Sequence, residues 1–217
     1  MIEKIEKIIP RYGIGPVLAV IGFNLFTYYV TKFITSNWKH YDISIPLDDA
    51  IPTLSIFVIV YVLAYVQWVV GYVMIARDSK GLCFEYCGAE LIAKAICFVV
   101  FITFPTVMIR PDIVGTDFCS WLLNFIYQAD APTNLFPSIH CLESYLVARA
   151  AFSQKNVGTG YKVTMAMATV LIVASVVLVK QHVILDVISG IIVVEIGLFI
   201  AKKLKLSERN VLWTRKK

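Results

Sequence analysis

The sequence predicts an all-α polytopic membrane helix bundle, and three observations predict it. The mean hydropathy is +0.75. Hydrophobic residues make up 59% of the chain and charged residues only 16%, a balance outside the range of soluble domains. The apolar residues also fall in long runs. About 20 of them cross a bilayer as a helix, and the stretches 14–34, 52–76, 90–109, 163–179 and 183–201 approach or exceed that length. A sixth stretch, 138–152, is shorter and carries Glu143 and Arg149; its position makes it the fourth of six expected transmembrane helices. No internal repeat, low-complexity run or second domain interrupts the chain, so residues 1–217 read as a single integral membrane domain.

Taken in order, residues 1–12 place Ile2, Ile5, Ile8 and Ile9 between Glu and Lys, the pattern of an amphipathic helix lying in the interface. The first apolar run is too long for the core of a signal peptide and no small-residue cleavage site follows it, so it reads as a retained span. Within the polar connection 110–137, residues 120–128 space Trp121, Leu122, Phe125 and Ile126 as a short helix at headgroup level. Residues 202–217 form a basic tail. Six spans put both termini on one side, and that side holds fifteen of the twenty Lys and Arg residues. Lys94 lies inside the third span, and only Lys32, Lys39, Arg110 and Lys180 fall on the other side. The positive-inside rule then makes both termini cytoplasmic, in the plasma membrane. The net charge of +5 reads as a membrane-surface charge toward anionic lipid, not as a nucleic-acid site. Of the five cysteines, Cys83 and Cys87 fall in the expected cytoplasmic loop between spans two and three, without zinc-site spacing. Cys119 and Cys141 fall outside.

Two of the three histidines sit at ends of apolar runs on the extracytoplasmic side, in Pro137-Ser138-Ile139-His140 and in Lys180-Gln181-His182-Val183-Ile184-Leu185-Asp186. Ionisable residues at membrane depth mark functional sites by default. His182 and Asp186 are four apart at a helix start. A carboxylate there fixes the imidazole tautomer and leaves the far ring nitrogen as nucleophile or base. Ser138 is an N-cap residue that puts His140 in the first turn of a helix, where unpaired N–H groups favour an anion. Arg110 and Lys180 are cations kept on the outer side against the charge bias, and an anionic ligand is the simplest reason. Together these residues suit phosphoryl transfer through a phosphohistidine. Rival readings are an ordinary structural hydrogen bond between His182 and Asp186, a zinc set of His140, His182 and Asp186, and headgroup anchoring by Arg110 and Lys180. Glu143, one turn from His140, is expected to orient that ring or to make a polar interhelical contact. Glu195 is expected to reach cytoplasmic water or Lys94, His40 to be a solvated loop residue, and Asp130 and Asn134 to shape their loop.

These residues resemble the type-2 phosphatidic acid phosphatases, the membrane branch of the superfamily shared with the vanadium haloperoxidases. The family pattern is K-x-x-x-x-x-x-R-P, then P-S-G-H, then S-R-x-x-x-x-x-H-x-x-x-D. Arg110-Pro111 matches the end of the first motif, Pro137-Ser138-Ile139-His140 the second, and Ser175, His182 and Asp186 the third, all within a core over 90–200. The family's lysine falls at Thr103, its motif-three arginine at Val176 and its glycine at Ile139. The isoleucine resembles the sub-branch of inositol phosphorylceramide synthases. The resemblance implies a lipid phosphatase that acts on a phosphatidate- or polyprenyl-phosphate-like substrate without metal or other cofactor. It assigns His182 as nucleophile, Asp186 as its orienter, His140 as general acid, and Arg110 and Ser138 as phosphate-binding groups, with Lys180 expected to substitute for one of the two missing family cations. The alternatives are a lipid phosphotransferase and a non-catalytic lipid binder or transporter.

Overall fold

The computed structural model describes residues 6–208. The expected surface helix 1–12 therefore lies partly outside the described residues, and residues 7–10 turn into the first helix. The fold is helical apart from two two-residue strands. The helices are α1 (Arg11–Thr35), α2 (Pro46–Ala50), α3 (Val58–Asp78, preceded by the 3-10 turn Ser55–Phe57), α4 (Lys80–Thr103), α5 (Phe118–Ala129), α6 (Ile139–Ser153), α7 (Thr159–Leu178) and α8 (Ile184–Lys203). The strands β1 (Tyr41–Asp42) and β2 (Thr106–Val107) pair in parallel.

Five helical segments are long and apolar enough to cross a membrane: Arg11–Thr35, Ser55–Asp78, Lys80–Thr103, Thr159–Leu178 and Ile184–Lys203. The expected sixth span is α6, and its 15 residues fall short of that length. At 1.5 Å per residue it is about 22 Å long, against about 30 Å of hydrocarbon. Its composition follows from its surroundings. It packs against α3, α4, α7 and α8 and buries nine of its residues, so it has no need of an all-apolar surface.

The third span departs most from the sequence reading. It starts ten residues early, because Ser79 turns the chain after α3 and caps α4 by accepting the Leu82 N–H. Cys83 and Cys87 therefore lie inside α4, not in a loop. It ends at Thr103, because a residue before proline disfavours the helical region and Pro105 follows Phe104. Arg110 thus stands seven residues beyond the helix, outside any helix or strand.

Contacts sort the connections into two ends of the bundle. At one end the Tyr12 hydroxyl donates to the Ala76 carbonyl, Leu206 packs onto Gly88, and the Lys155 and Asn156 N–H groups both bond Asp78 Oδ1 at 2.9 Å. At the other end Leu54 N–H bonds the Leu178 carbonyl, and β1 pairs with β2. The histidine segments lie at this second end. α6 starts beside His140, stacked on Tyr61 near the start of α3, and ends at Ser153, two residues before Lys155, which bonds Asp78 at the end of α3. Lys202 and Lys203 close α8, where cations complement the helix dipole. The remainder of the basic tail, from residue 209, lies outside the described residues.

Candidate active site

The turn from α7 to α8 is built by its own hydrogen bonds. Lys180 adopts a left-handed conformation, φ 50°. Its N–H bonds the Val177 carbonyl at 3.1 Å, and the Gln181 N–H bonds Val176 at 2.9 Å, the two bonds of a Schellman closure. This turn delivers His182 two residues before α8. Asp186, in the first turn of α8, reaches back: its Oδ2 accepts the Val183 N–H at 3.0 Å and stands 3.2 Å from His182 Nδ1. A carboxylate only accepts, so the ring proton sits on Nδ1 and Nε2 carries the lone pair. Asp186 is fully buried and His182 nearly so.

The start of α6 is fastened to the same place. The Ser138 N–H bonds the Asp186 carbonyl at 3.0 Å. Gly190 makes the approach feasible, because a Cβ there would lie 2.6 Å from the Ser138 carbonyl oxygen. Ser138 itself is buried, and its hydroxyl accepts the Cys141 N–H as the helix cap. The His140 ring stacks on Tyr61 at 4.4 Å between centroids, with Trp68 at 5.0 Å and the edge of Tyr65 at 5.6 Å. It faces His182 at 6.2 Å. Trp68 is held by its own N–H, donated to Ser144 Oγ at 2.8 Å.

Both histidines line one cavity of about 410 Å³ between α1, α3, α5 and α6. Tyr61, Tyr65, Trp68, Phe101 and Ile139 form much of its apolar wall, and Tyr28, Lys32, Asp130 and Asn134 bring polar groups to it. Lys32 Nζ lies 3.2 Å from Asp130 Oδ1, and the Tyr28 hydroxyl donates to the same oxygen at 2.5 Å.

The expected phosphate cradle is only partly assembled. The Arg110 guanidinium is engaged with the Asp130 carbonyl at 2.5 Å and with Oε1 of Gln181, the residue before His182, at 2.6 Å. Its Nε, like Gln181 Nε2, His140 Nε2 and Asp186 Oδ1, is buried without a hydrogen-bond partner. Burial pushes this guanidinium below its ordinary pKa, with Asp130 opposing; it also lies over the Tyr127 ring, whose hydroxyl burial pushes up to about 12. Lys180 sits elsewhere: its ammonium donates to the Asp48 carbonyl at 2.6 Å and is not in the cavity wall. Nor is Ser138, whose hydroxyl is occupied as a cap. Thr103, where the family has lysine, bonds back to its own helix at Val99, and Val176, where it has arginine, is buried among apolar side chains.

Glu143 does not reach His140. It belongs to a buried cluster in the bundle, where Lys94 Nζ lies 2.7 Å from Glu143 and 2.5 Å from Glu90, and the one Tyr72 hydroxyl stands within hydrogen-bond reach of both carboxylates. Glu195 pairs with Arg149 and Tyr145, not with Lys94. His40 and Asp42 keep to local loop contacts, and Asn134 bonds Thr35 as a loop-shaping residue. All five cysteines are free and buried, Cys119 and Cys141 among them. Among the described residues no group of three or more His, Cys, Asp or Glu is arranged to hold a metal ion.

Sequence reasoning missed Asp48, which caps α8 by accepting the Ile184 N–H at 2.8 Å, and Gln181, the link between Arg110 and the His182 segment. It counted Lys32 only as an outer charge. The signal for Lys32 was its place on the outer side against the charge bias; nothing in the chain pointed to Asp130 as its partner. No family model matches the chain, and no curated protein or solved structure is similar to it.

Proposed function

We propose that the chain is an integral membrane enzyme that cleaves a lipid phosphomonoester or pyrophosphate through a phosphohistidine on His182. The observation that carries this reading is the Asp186–His182 pair facing His140 across 6.2 Å in one largely apolar cavity. A lone structural hydrogen bond would not call for a second imidazole on the far wall.

The steps balance. The Nε2 lone pair of His182 attacks phosphorus, an N–P bond forms, and the P–O bond to the lipid breaks. Protonated His140 gives its proton to the departing lipid oxygen. Neutral His140 then takes a proton from water, the hydroxide attacks phosphorus, the N–P bond breaks and phosphate leaves. Asp186 holds the Nδ1 proton throughout and stabilises the positive charge that the ring acquires. Arg110 is tied to the residue before His182 by its bond to Gln181.

A second reading is transfer to an alcohol in place of water. Ile139, which stands where the phosphatases have glycine, lines the cavity, and its bulk bears directly on what can approach the phosphohistidine. α6 serves in this reading as a sixth crossing, both termini are cytoplasmic, and the cavity faces the outside of the plasma membrane. The even number of passes between the two ends of the bundle and the charge bias support that orientation. Radiolabelled phosphatidate presented with and without candidate alcohols tests the pair: free phosphate supports hydrolysis, and a new labelled phosphomonoester of the alcohol supports transfer. Neither product, with labelled lipid retained by the protein, would favour a non-catalytic binder.

A further inference from the structure

The cavity has a cation that the phosphoryl-transfer reading leaves without a role. Lys32, three residues from the end of α1, is the only Lys or Arg in the cavity wall among the described residues. The other nearby cations are committed. Arg110 bonds Asp130 and Gln181, Lys180 bonds Asp48, and Lys94 is locked between two buried carboxylates. Lys32 is held by Asp130 at 3.2 Å and by the Tyr28 hydroxyl at 2.7 Å. Its side chain is 28% exposed and that of Asp130 32%. A pair this open to solvent is held weakly, so its partner is easily exchanged. A phosphate monoester brings more charge and three acceptor oxygens to the same ammonium.

We infer that Lys32 is the anion-binding cation of the cavity and that Asp130 is its resident counter-ion, displaced when the phosphate of a lipid arrives. The ligand class rests on the function proposed above; the exchange itself does not. The surroundings suit an amphiphile. Leu25, Tyr29, Val62, Tyr65 and Phe125 line the cavity and are also exposed on the outer surface of the helices, so the cavity opens sideways between α1, α3 and α5. A phosphate at Lys32 then has its tails along these side chains. From Lys32 the contacts run through Asp130, Arg110 and Gln181 to His182, the residue after Gln181. The position takes over the role left empty at Thr103 and Val176.

The two members of the pair give opposite predictions, which separates a binding role from a structural one. Lys32→Met removes the cation. Asp130→Asn removes the competing charge but keeps an oxygen for Tyr28 and the backbone carbonyl for Arg110. Binding of a dioctanoyl phosphonate analogue of phosphatidate, which cannot be hydrolysed, is measured by calorimetry on the full chain in detergent, with dioctanoylglycerol as the uncharged control. Lys32→Met weakens phosphonate binding by about ten- to a hundredfold, the worth of a charged hydrogen bond, and leaves the control unchanged. Asp130→Asn binds the phosphonate at least as tightly as the native chain. Equal losses in both variants, no loss in Lys32→Met, or no measurable binding to the native chain overturns the inference. Lys32-dependent binding without turnover of any phosphatidate would instead sink the proposed enzyme and leave the anion site standing.

Discussion

Asp186 Oδ2 lies 3.2 Å from His182 Nδ1 and 3.0 Å from the backbone nitrogen of Val183. One carboxylate therefore both orients the candidate nucleophile and caps the helix behind it. These tasks separate by mutation. Asp186→Asn keeps an oxygen for the cap but loses the charge that stabilises a cationic imidazole. Phosphate release falls by at least about a hundredfold, while the melting temperature changes little. Asp186→Ala loses activity equally and also about 1 kcal/mol of stability with the cap. Phosphate release and thermal unfolding of the two purified variants check this.

Trp68 holds the His140 ring from one side and donates to Ser144 on the same helix. Trp68→Phe keeps an aromatic wall but leaves the Ser144 hydroxyl without its donor. The expected cost is about 1 kcal/mol, or a fall of about 2–4 °C in melting temperature for a chain of this size. His140 gains freedom, so kcat falls severalfold with KM less affected. Steady-state kinetics of the variant give both numbers.

Lys180 decides between a phosphate ligand and a turn residue. Its φ of 50° is a conformation that glycine adopts without steric cost. Lys180→Gly is therefore expected to keep turnover within severalfold and to fold as stably as the native chain, despite losing the ammonium bond to Asp48. A phosphate-binding lysine would instead show a large rise in KM on the same substitution.

Lys94 sits between Glu90 and Glu143 with no exposure at all. Lys94→Met leaves two carboxylates facing one another in the bundle. Breaking a buried pair from one side costs about 3–5 kcal/mol, equivalent to roughly 10 °C in melting temperature. Differential scanning calorimetry in detergent measures it. Lys180→Gly and Lys94→Met thus lose opposite things, although both remove one lysine.

The helices were legible because five apolar runs need no partner to declare themselves, and α5 declared itself by the spacing of Trp121 and Phe125. The boundaries of α4 were not. Its first ten residues include Lys80 and Glu85, and what makes them helical is the Ser79 cap and packing against α8. The His182–Asp186 pair was legible as a local, four-residue spacing beside a helix start. Its neighbour His140 was legible through the Pro-Ser-x-His segment. Contacts across the bundle were not: Lys32 meets Asp130 across 98 positions, and Arg110 meets Gln181 across 71. Glu143 lay on the expected face of its helix, but spacing alone does not say which neighbouring helix that face meets. Lys94 won it.

The most direct test of the central claim is to trap the intermediate. The purified chain is mixed with phosphatidate carrying a radiolabelled phosphate, quenched in alkali within the first turnover, and the labelled peptide is identified. The account predicts an alkali-stable, acid-labile phosphohistidine at His182, absent in His182→Ala and accumulating in His140→Asn, where the leaving group and water lose their acid and base. Turnover without label at His182, or undiminished turnover by His182→Ala, would contradict it.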